Sequence, residues 1–297
     1  MLGNDFFEEF EKHSGNKFSD AQKKRIKDRL NEIIDYEPKV GVFGKTGAGK
    51  SSLCNALFGK KEFKVGHNIP TTREAQEVLL NLGGKGLKLF DLPGVGENQE
   101  RNVEYGNLYS KLLPDLDVVL WVLKGDDRAY AEDERFYKNV VKPHIDQVDH
   151  PLVFFFVLNQ VDKIEPYREW DIDNRKPGVN QLSNIDEKSS FVADSFGIPK
   201  VKIIPVSASD KYNLEALVDT IVHHLPKKKR VGFVRQLEEG TVSKETEKEI
   251  KKTLWEEIKE VICDVAEVVK DVAETVLDKV FEKADEFLKK LPWPFGK

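Results

Sequence analysis

The chain has 297 residues, 39% of them hydrophobic and 33% charged, with a net charge of −5. This fits a soluble globular protein of one ordinary α/β domain plus helical additions, or two small domains. No global basic field calls for nucleic acid, so direct DNA binding is not expected, and two distant cysteines, Cys54 and Cys263, build no disulfide framework and suit a reducing cytoplasm.

The start, "MLGNDFFEEFEKHSG", has neither a basic opening nor a long apolar stretch, and is not read as a signal peptide. No segment reaches the ~18 uninterrupted apolar residues of a membrane-spanning helix. Residues 1–37 read as helical. Phe6, Phe7 and Phe10 make one short apolar face, Ser19 and Gln22 fit a capping box, and Ile26, Leu30, Ile33 and Ile34 recur at helical spacing before Pro38 closes the region.

Residues 38–226 alternate strand-like and helix-like segments. Strands are predicted over 39–43, 74–82, 86–91, 117–123, 152–158 and 201–207, with "GGKG" at 83–86 as a hairpin turn making the second and third antiparallel. Most are continuous apolar runs, the pattern of strands covered on both faces. The fold class is therefore α/β: a mostly parallel six-stranded sheet with helices on both faces. Residues 164–180 are polar, carry prolines and read as an inserted loop.

"GVFGKTGAGKSS" carries the strongest chemical signal, matching G-x-x-x-x-G-K-[ST] between a strand and a helix. Gly44, Lys45, Thr46, Gly47, Ala48, Gly49, Lys50, Ser51 and Ser52 would wrap a polyphosphate. The glycines allow close backbone approach, and the loop amides and helix start favour anions. Lys50 would reach the β- and γ-phosphates and Ser51 would ligate Mg²⁺. In "FDLPGVGE", Asp91 stands where a carboxylate holds Mg²⁺ through water, and the Gly94 N–H would meet the γ-phosphate. In "GHNIPTTRE", Thr72 is the hydroxyl favoured to complete the Mg²⁺ shell and sense the γ-phosphate.

"NQVD" begins at the end of a buried strand, the edge where open α/β sheets bind ligands. An Asp162 carboxylate would accept from the guanine ring N–H and exocyclic amine, donors that adenine does not present in that arrangement. Asn159 would tie the loop to its neighbours. Gln160, where a lysine would lay its stem along the base and brace the phosphate loop, is shorter and uncharged. After the last strand, "PVSAS" offers Ser207 and Ala208, where a backbone N–H would meet the guanine carbonyl.

Beyond Pro226, "KKKR" opens a basic linker over 227–240. Residues 241–291 follow as a long amphipathic helix or a helix hairpin, with apolar positions from Ile250 through Leu254, Ile258, Val261 and Val265 to Val280. Lys244 to Lys290 holds ten lysines and fourteen acidic residues, so adsorption to anionic lipid is not favoured. The expectation is a helix packed on the N-terminal helices, forming a helical module.

The ordered set "GKTGAGKS", "TTR", "DLPG", "NQVD" and "SA" resembles the translation-factor-type P-loop GTPases. "GKTGAGKSSLCNALF", "DLPGVGE" and "LWVLKGDDRAY" narrow the resemblance to the Era-like GTPases of the bacterial prophage-associated branch; the P-loop is also similar to those of septin-like and chloroplast-import-type GTPases. It covers about residues 38–226, the G domain, and implies GTP and GDP as ligands, Mg²⁺ as cofactor and GTP hydrolysis, with Lys50, Thr72 and Gly94 as the catalytic set. Two departures stand out besides Gln160. Val95 occupies the position of a water-orienting glutamine, so turnover is expected to be slow or partner-stimulated, and Gly47 replaces a potassium-ligating asparagine. His67, Arg73 and Arg128 are the chain's own candidates for the missing group, beside a partner or a nucleotide-dependent homodimer. The expected role is a cytoplasmic switch whose helical module engages a protein or ribonucleoprotein. The alternative is an assembling, membrane-associated GTPase of the dynamin-like or immunity-related kind, peripheral at the membrane.

Overall fold

The computed structural model describes residues 18–34, 36–59 and 110–266, the positions Phe7, Glu8, Glu11 and Asn107, and the backbone of two strands, 76–80 and 87–91. Phe6, Phe10, the 83–86 turn, Thr72, Gly94, Val95, His67, Arg73 and the apolar positions from Val268 onward lie outside the described residues. The chain divides into two compact units, Pro38–Leu225 and a second made of Met1–Glu37 with Pro226–Lys297.

The larger unit holds a six-stranded sheet of β1 (Lys39–Phe43), β2 (Gln76–Leu80), β3 (Leu87–Asp91), β4 (Val118–Lys124), β5 (Val153–Asn159) and β6 (Ile203–Pro205), in the order β2-β3-β1-β4-β5-β6. All neighbours are parallel except β2 and β3, which pair antiparallel as the hairpin reading predicts. The central strands are buried on both faces. Trp121 pairs with Phe43 on β1 and Phe156 on β5, and these side chains enter one aromatic core with Tyr137 and Phe196. Tyr137 meets the Phe156 ring edge-on at 5.1 Å, and Phe196 meets it at 4.9 Å. The alternate residues Val42, Leu120, Val122, Phe155 and Val157 are equally buried, which is why these strands read as continuous apolar runs.

With α1 (Asp20–Ile34) lying in the smaller unit, α2 (Lys50–Phe58) follows β1, and α3 (Ala131–Phe136) follows β4. α3 runs into a π-helical turn, Tyr137–Val141, before Lys142–Ile145. Pro143 lies just beyond: its ring nitrogen cannot donate and its ring crowds the carbonyl four residues back, so the wider turn relieves the clash. α4 (Val179–Phe196) contributes Ile185, Val192 and Phe196 to the aromatic core. α5 (Leu214–His224) buries Leu217, Val218 and Ile221.

The smaller unit contains α1 (Asp20–Ile34), α6 (Lys227–Val234) and α7 (Lys244–Ala266), each packed on the other two. The α1 start is a reciprocal capping box. The Gln22 N–H donates to Ser19 Oγ at 3.3 Å, and the Ser19 N–H donates to Gln22 Oε1 at 2.9 Å. Ile26, Leu30, Ile33 and Ile34 on α1 are buried, as are Ile250, Leu254, Ile258, Val261 and Val265 on α7. Gln22 Nε2 donates to the Val265 carbonyl at 3.3 Å, and Arg29 pairs with Asp264 at 3.2 Å. The expected packing of the C-terminal helix on the N-terminal one is thus observed.

The basic linker is not. Residues 227–234 form α6, with Pro226 at its N-cap and Val231, Phe233 and Val234 buried. "KKKR" is its first turn: Arg230 pairs with Glu249 at 2.8 Å, and from just past the helix Arg235 donates to the Ile34 carbonyl at 2.6 Å. Proline is suited to a helix start and the lysines are good helix formers; burial of the following apolar residues supplies the rest. Among the described residues no helix is long and apolar enough to cross a membrane.

Candidate functional site

β1, β5 and β6 are connected in parallel through β4, so the loops leaving their C-terminal ends emerge at one edge of the sheet. Two of the first loop's glycines have specific reasons. Gly44 has φ 139°, and a Cβ there would sit 2.2 Å from the Val122 carbonyl oxygen; at Gly49, φ 89°, it would sit 2.3 Å from Asn159 Nδ2. Only glycine fits either position. Lys50 folds back over the loop, its ammonium donating to the Gly44 carbonyl at 2.8 Å and the Lys45 carbonyl at 3.4 Å. The Ala48 N–H donates to the Lys45 carbonyl at 3.1 Å, closing the loop. Thr46 and Gly47 are exposed, while Ser51 and Ser52 sit half-buried in the first turn of α2.

Asn159 joins all three loops. Its Nδ2 donates to the Ala48 carbonyl at 2.9 Å, and its Oδ1 accepts from the Ala208 N–H at 3.0 Å. Its own carbonyl accepts from the Gly125 N–H at 2.6 Å. The residue is 1% exposed. The Ala208 N–H, in the stretch where a backbone N–H is expected to meet a base carbonyl, is committed to Asn159, because the loop crosses within reach of a buried amide oxygen that needs a donor. Ser207 is fully buried and its hydroxyl lies 3.1 Å from that of Ser209.

Gln160 takes a left-handed conformation, φ 62°, and its Nε2 donates to the Gly47 carbonyl at 2.8 Å. It thus braces the phosphate loop, the task expected of a lysine. The positive charge comes from one turn on: Lys163 Nζ donates to Gln160 Oε1 at 2.7 Å. Asp162 has a buried carboxylate oxygen, Oδ1, that no described group of the protein answers. Sequence reasoning missed the residue that holds this loop. Gln181 on α4, 0% exposed, donates to the carbonyls of Ile164 at 2.8 Å and Asp162 at 3.2 Å. The sequence signal is slight: Gln181 stands four residues before Ile185, in line with the apolar positions Val192 and Phe196 of the same helix. The inserted loop contributes too: Trp170 Nε1 donates to Asp210 Oδ2 at 2.6 Å, fastening the 207–212 loop, where Ser207 and Tyr212 bridge.

Asp91 ends β3, its backbone opposite Val42 of β1, two residues before Gly44. The phosphate-loop residues, Asn159, Gln160, Ser207 and Ala208 are brought together, with Asp91 at the same sheet edge; Thr72 and Gly94 lie outside the described residues. Arg128 is exposed on the turn between β4 and α3.

A family model described as "50S ribosome-binding GTPase" matches residues 39–160. The chain is 37% identical over 203 residues to the protein YfjP of Escherichia coli (strain K12), covering 68% of this chain and 67% of that one. To GTPase Era of Aquifex aeolicus (strain VF5) it is 29% identical over 191 residues, covering 63% of this chain and 56% of Era. A solved structure of Era with MgGDPNP and a fragment of 16S ribosomal RNA is similar with a TM-score of 0.44 and 28% identity, over 64% of this chain and 57% of that one. The chain thus spans little more than half of the Era proteins it matches. YfjP is alike across two thirds of its length, so the chain belongs to the same family as YfjP, and the GTPase model matching residues 39–160 marks its P-loop GTPase domain, similar to that of Era.

Proposed function

We propose that this chain binds GTP and GDP with Mg²⁺ and hydrolyses GTP slowly, as a switch whose rate a partner raises. The observation that carries the guanine assignment is the buried, unanswered Oδ1 of Asp162, in a loop pinned by Gln181 and braced on the phosphate loop by Gln160. A buried carboxylate oxygen is costly without donors, and the guanine ring N–H and exocyclic amine supply them. Adenine would leave it stranded, so discrimination of ~10⁴-fold or more is expected.

The loop amides between Gly44 and Ser51 and the Lys50 ammonium neutralise the polyphosphate. The donor set for Mg²⁺ is hard oxygen, as that ion requires: the Ser51 hydroxyl at the start of α2, Thr72, and Asp91 at the end of β3. The ion, when bound, neutralises charge developing on the β- and γ-phosphoryl oxygens. The Gly94 N–H serves the γ-phosphate. Val95 offers no atom to orient the attacking water, and a missing water-orienting group or arginine is worth ~10³–10⁵ in rate, hence slow turnover without a partner.

Asp162→Asn tests the reading. It should weaken GTP binding and gain xanthosine nucleotide, whose second carbonyl accepts from the new amide; unchanged GTP affinity would sink the guanine assignment. Phosphate release over many turnovers should vanish in Lys50→Ala. The description of the matching family, ribosome-binding, supports a ribonucleoprotein partner. Co-sedimentation with ribosomal subunits in a non-hydrolysable GTP analogue should exceed that in GDP.

A further inference from the structure

We infer that Asp133 is a positioning residue for the phosphate loop, acting through Lys45; the inference rests on the nucleotide site proposed above. Lys45 has two attachments. Its backbone carbonyl is part of the cradle, accepting from the Ala48 N–H at 3.1 Å and the Lys50 ammonium at 3.4 Å. Its side chain points away from that cradle to the first turn of α3, where its ammonium lies 2.8 Å from Asp133 Oδ2 and 3.5 Å from Glu132 Oε2.

The two acidic partners differ in weight. The Glu132 side chain is 62% exposed, so water can answer it, whereas that of Asp133 is 2% exposed. A carboxylate buried so deeply needs a cation or hydrogen bonds, and its Oδ1 has none among the described residues. Lys45 is what answers it. Both line a cavity of about 50 Å³ with Thr46, Lys124, Asp127 and Tyr130, and withdrawal of the lysine head would break the 2.8 Å contact to the buried acid. The first loop residue after Gly44 is thereby fixed at both ends, and the carbonyl that closes the loop on Ala48 is held before any ligand arrives. A loop already ordered loses less freedom on binding.

The test measures affinity for a fluorescent GDP analogue in Mg²⁺ buffer, with unfolding midpoints taken without nucleotide. Lys45→Met and Asp133→Leu should each weaken binding by ~10-fold, and the double variant should lose no more than either single, because both break one contact. Lys45→Arg should bind more tightly than Lys45→Met. If Asp133→Leu does not fold, Asp133→Asn takes its place with the same expectation. Wild-type affinity in the single variants, additive losses, or tighter binding on removing Asp133 would each overturn the inference. A merely structural role would lower the unfolding midpoint and leave affinity alone, which also overturns it. Failure of the guanine reading is seen separately, as wild-type protein that does not bind the analogue. The clasp is then judged from Ala48 amide exchange in ligand-free protein, which Asp133→Leu should speed; unchanged exchange would overturn it.

Discussion

Replacing Asn159 by alanine should uncouple the three loops and destabilise the larger unit. The side chain makes two buried hydrogen bonds to backbone, one donated to Ala48 and one accepted from Ala208. Ala48 is 1% exposed and Ala208 6%, so water cannot easily replace the lost partner at either end. A buried backbone group left unpaired costs about 1–3 kcal/mol, so two cost roughly 2–6 kcal/mol together. For a unit of this size that lowers the unfolding midpoint by about 4–24 °C, read by circular dichroism on heating without nucleotide. Asn159→Asp sharpens the test. It keeps the shape and the acceptor for Ala208 but sets an oxygen against the Ala48 carbonyl, where an amide now donates at 2.9 Å. It should be at least as damaging as alanine. An aspartate variant more stable than the alanine one, or an alanine variant within ~0.5 kcal/mol of wild type, would refute the bridging role.

Gly47→Ala and Gly49→Ala should separate strain from crowding. Gly47 has φ 84° with nothing within 4 Å of an added Cβ, so its variant should cost only the ~1–2 kcal/mol of a left-handed residue. Gly49→Ala also drives a methyl into Asn159, adding about 1–3 kcal/mol and abolishing nucleotide binding; equal denaturation midpoints would show that no crowding exists. At Glu169, hydrogen bonding from the Asn180 side chain, opposed in part by burial and helped by the Gln181 and Asn180 amides, holds the carboxyl below its usual range. Because the folded value is depressed, the cap on α4 is in place above the ordinary glutamate value and is lost as pH falls through the depressed one. Amide NMR signals of Asn180 and Gln181 should move together on acidification, and Glu169→Gln should flatten that response.

The strands were legible because burial on both faces writes itself as uninterrupted apolar sequence. β5 nevertheless runs one residue further than its apolar run, to Asn159, which pairs with Lys124 while its amide is buried among loops. β6 is shorter than 201–207: Lys200–Lys202 form a tight helical turn and Pro205, lacking an N–H, ends the strand. α6 was hidden because an eight-residue helix with a glycine and two valines carries weak intrinsic signal and is made by its packing. In the site, spacing announced the phosphate loop and the order of motifs announced the base loop. Lys45 with Asp133, Gln181 with the Asp162 loop, and Trp170 with Asp210 were not legible, since each partnership depends on where distant elements meet. The left-handed turn at Gln160 was equally silent, because glutamine is not a residue that advertises that conformation.

The smaller unit is assembled from both sides of the larger one in sequence. Translation therefore delivers α1 first, with Ile26, Leu30, Ile33 and Ile34 already on one face, and the helices that cover that face last. About 190 residues intervene, which at roughly 5–20 residues per second leaves α1 waiting about 10–40 s on the ribosome. In that interval Pro38–Leu225 can complete its sheet, with the three loops already fastened by Asn159. The apolar stripe of α1 is therefore synthesised long before α6 and α7, the helices that cover it.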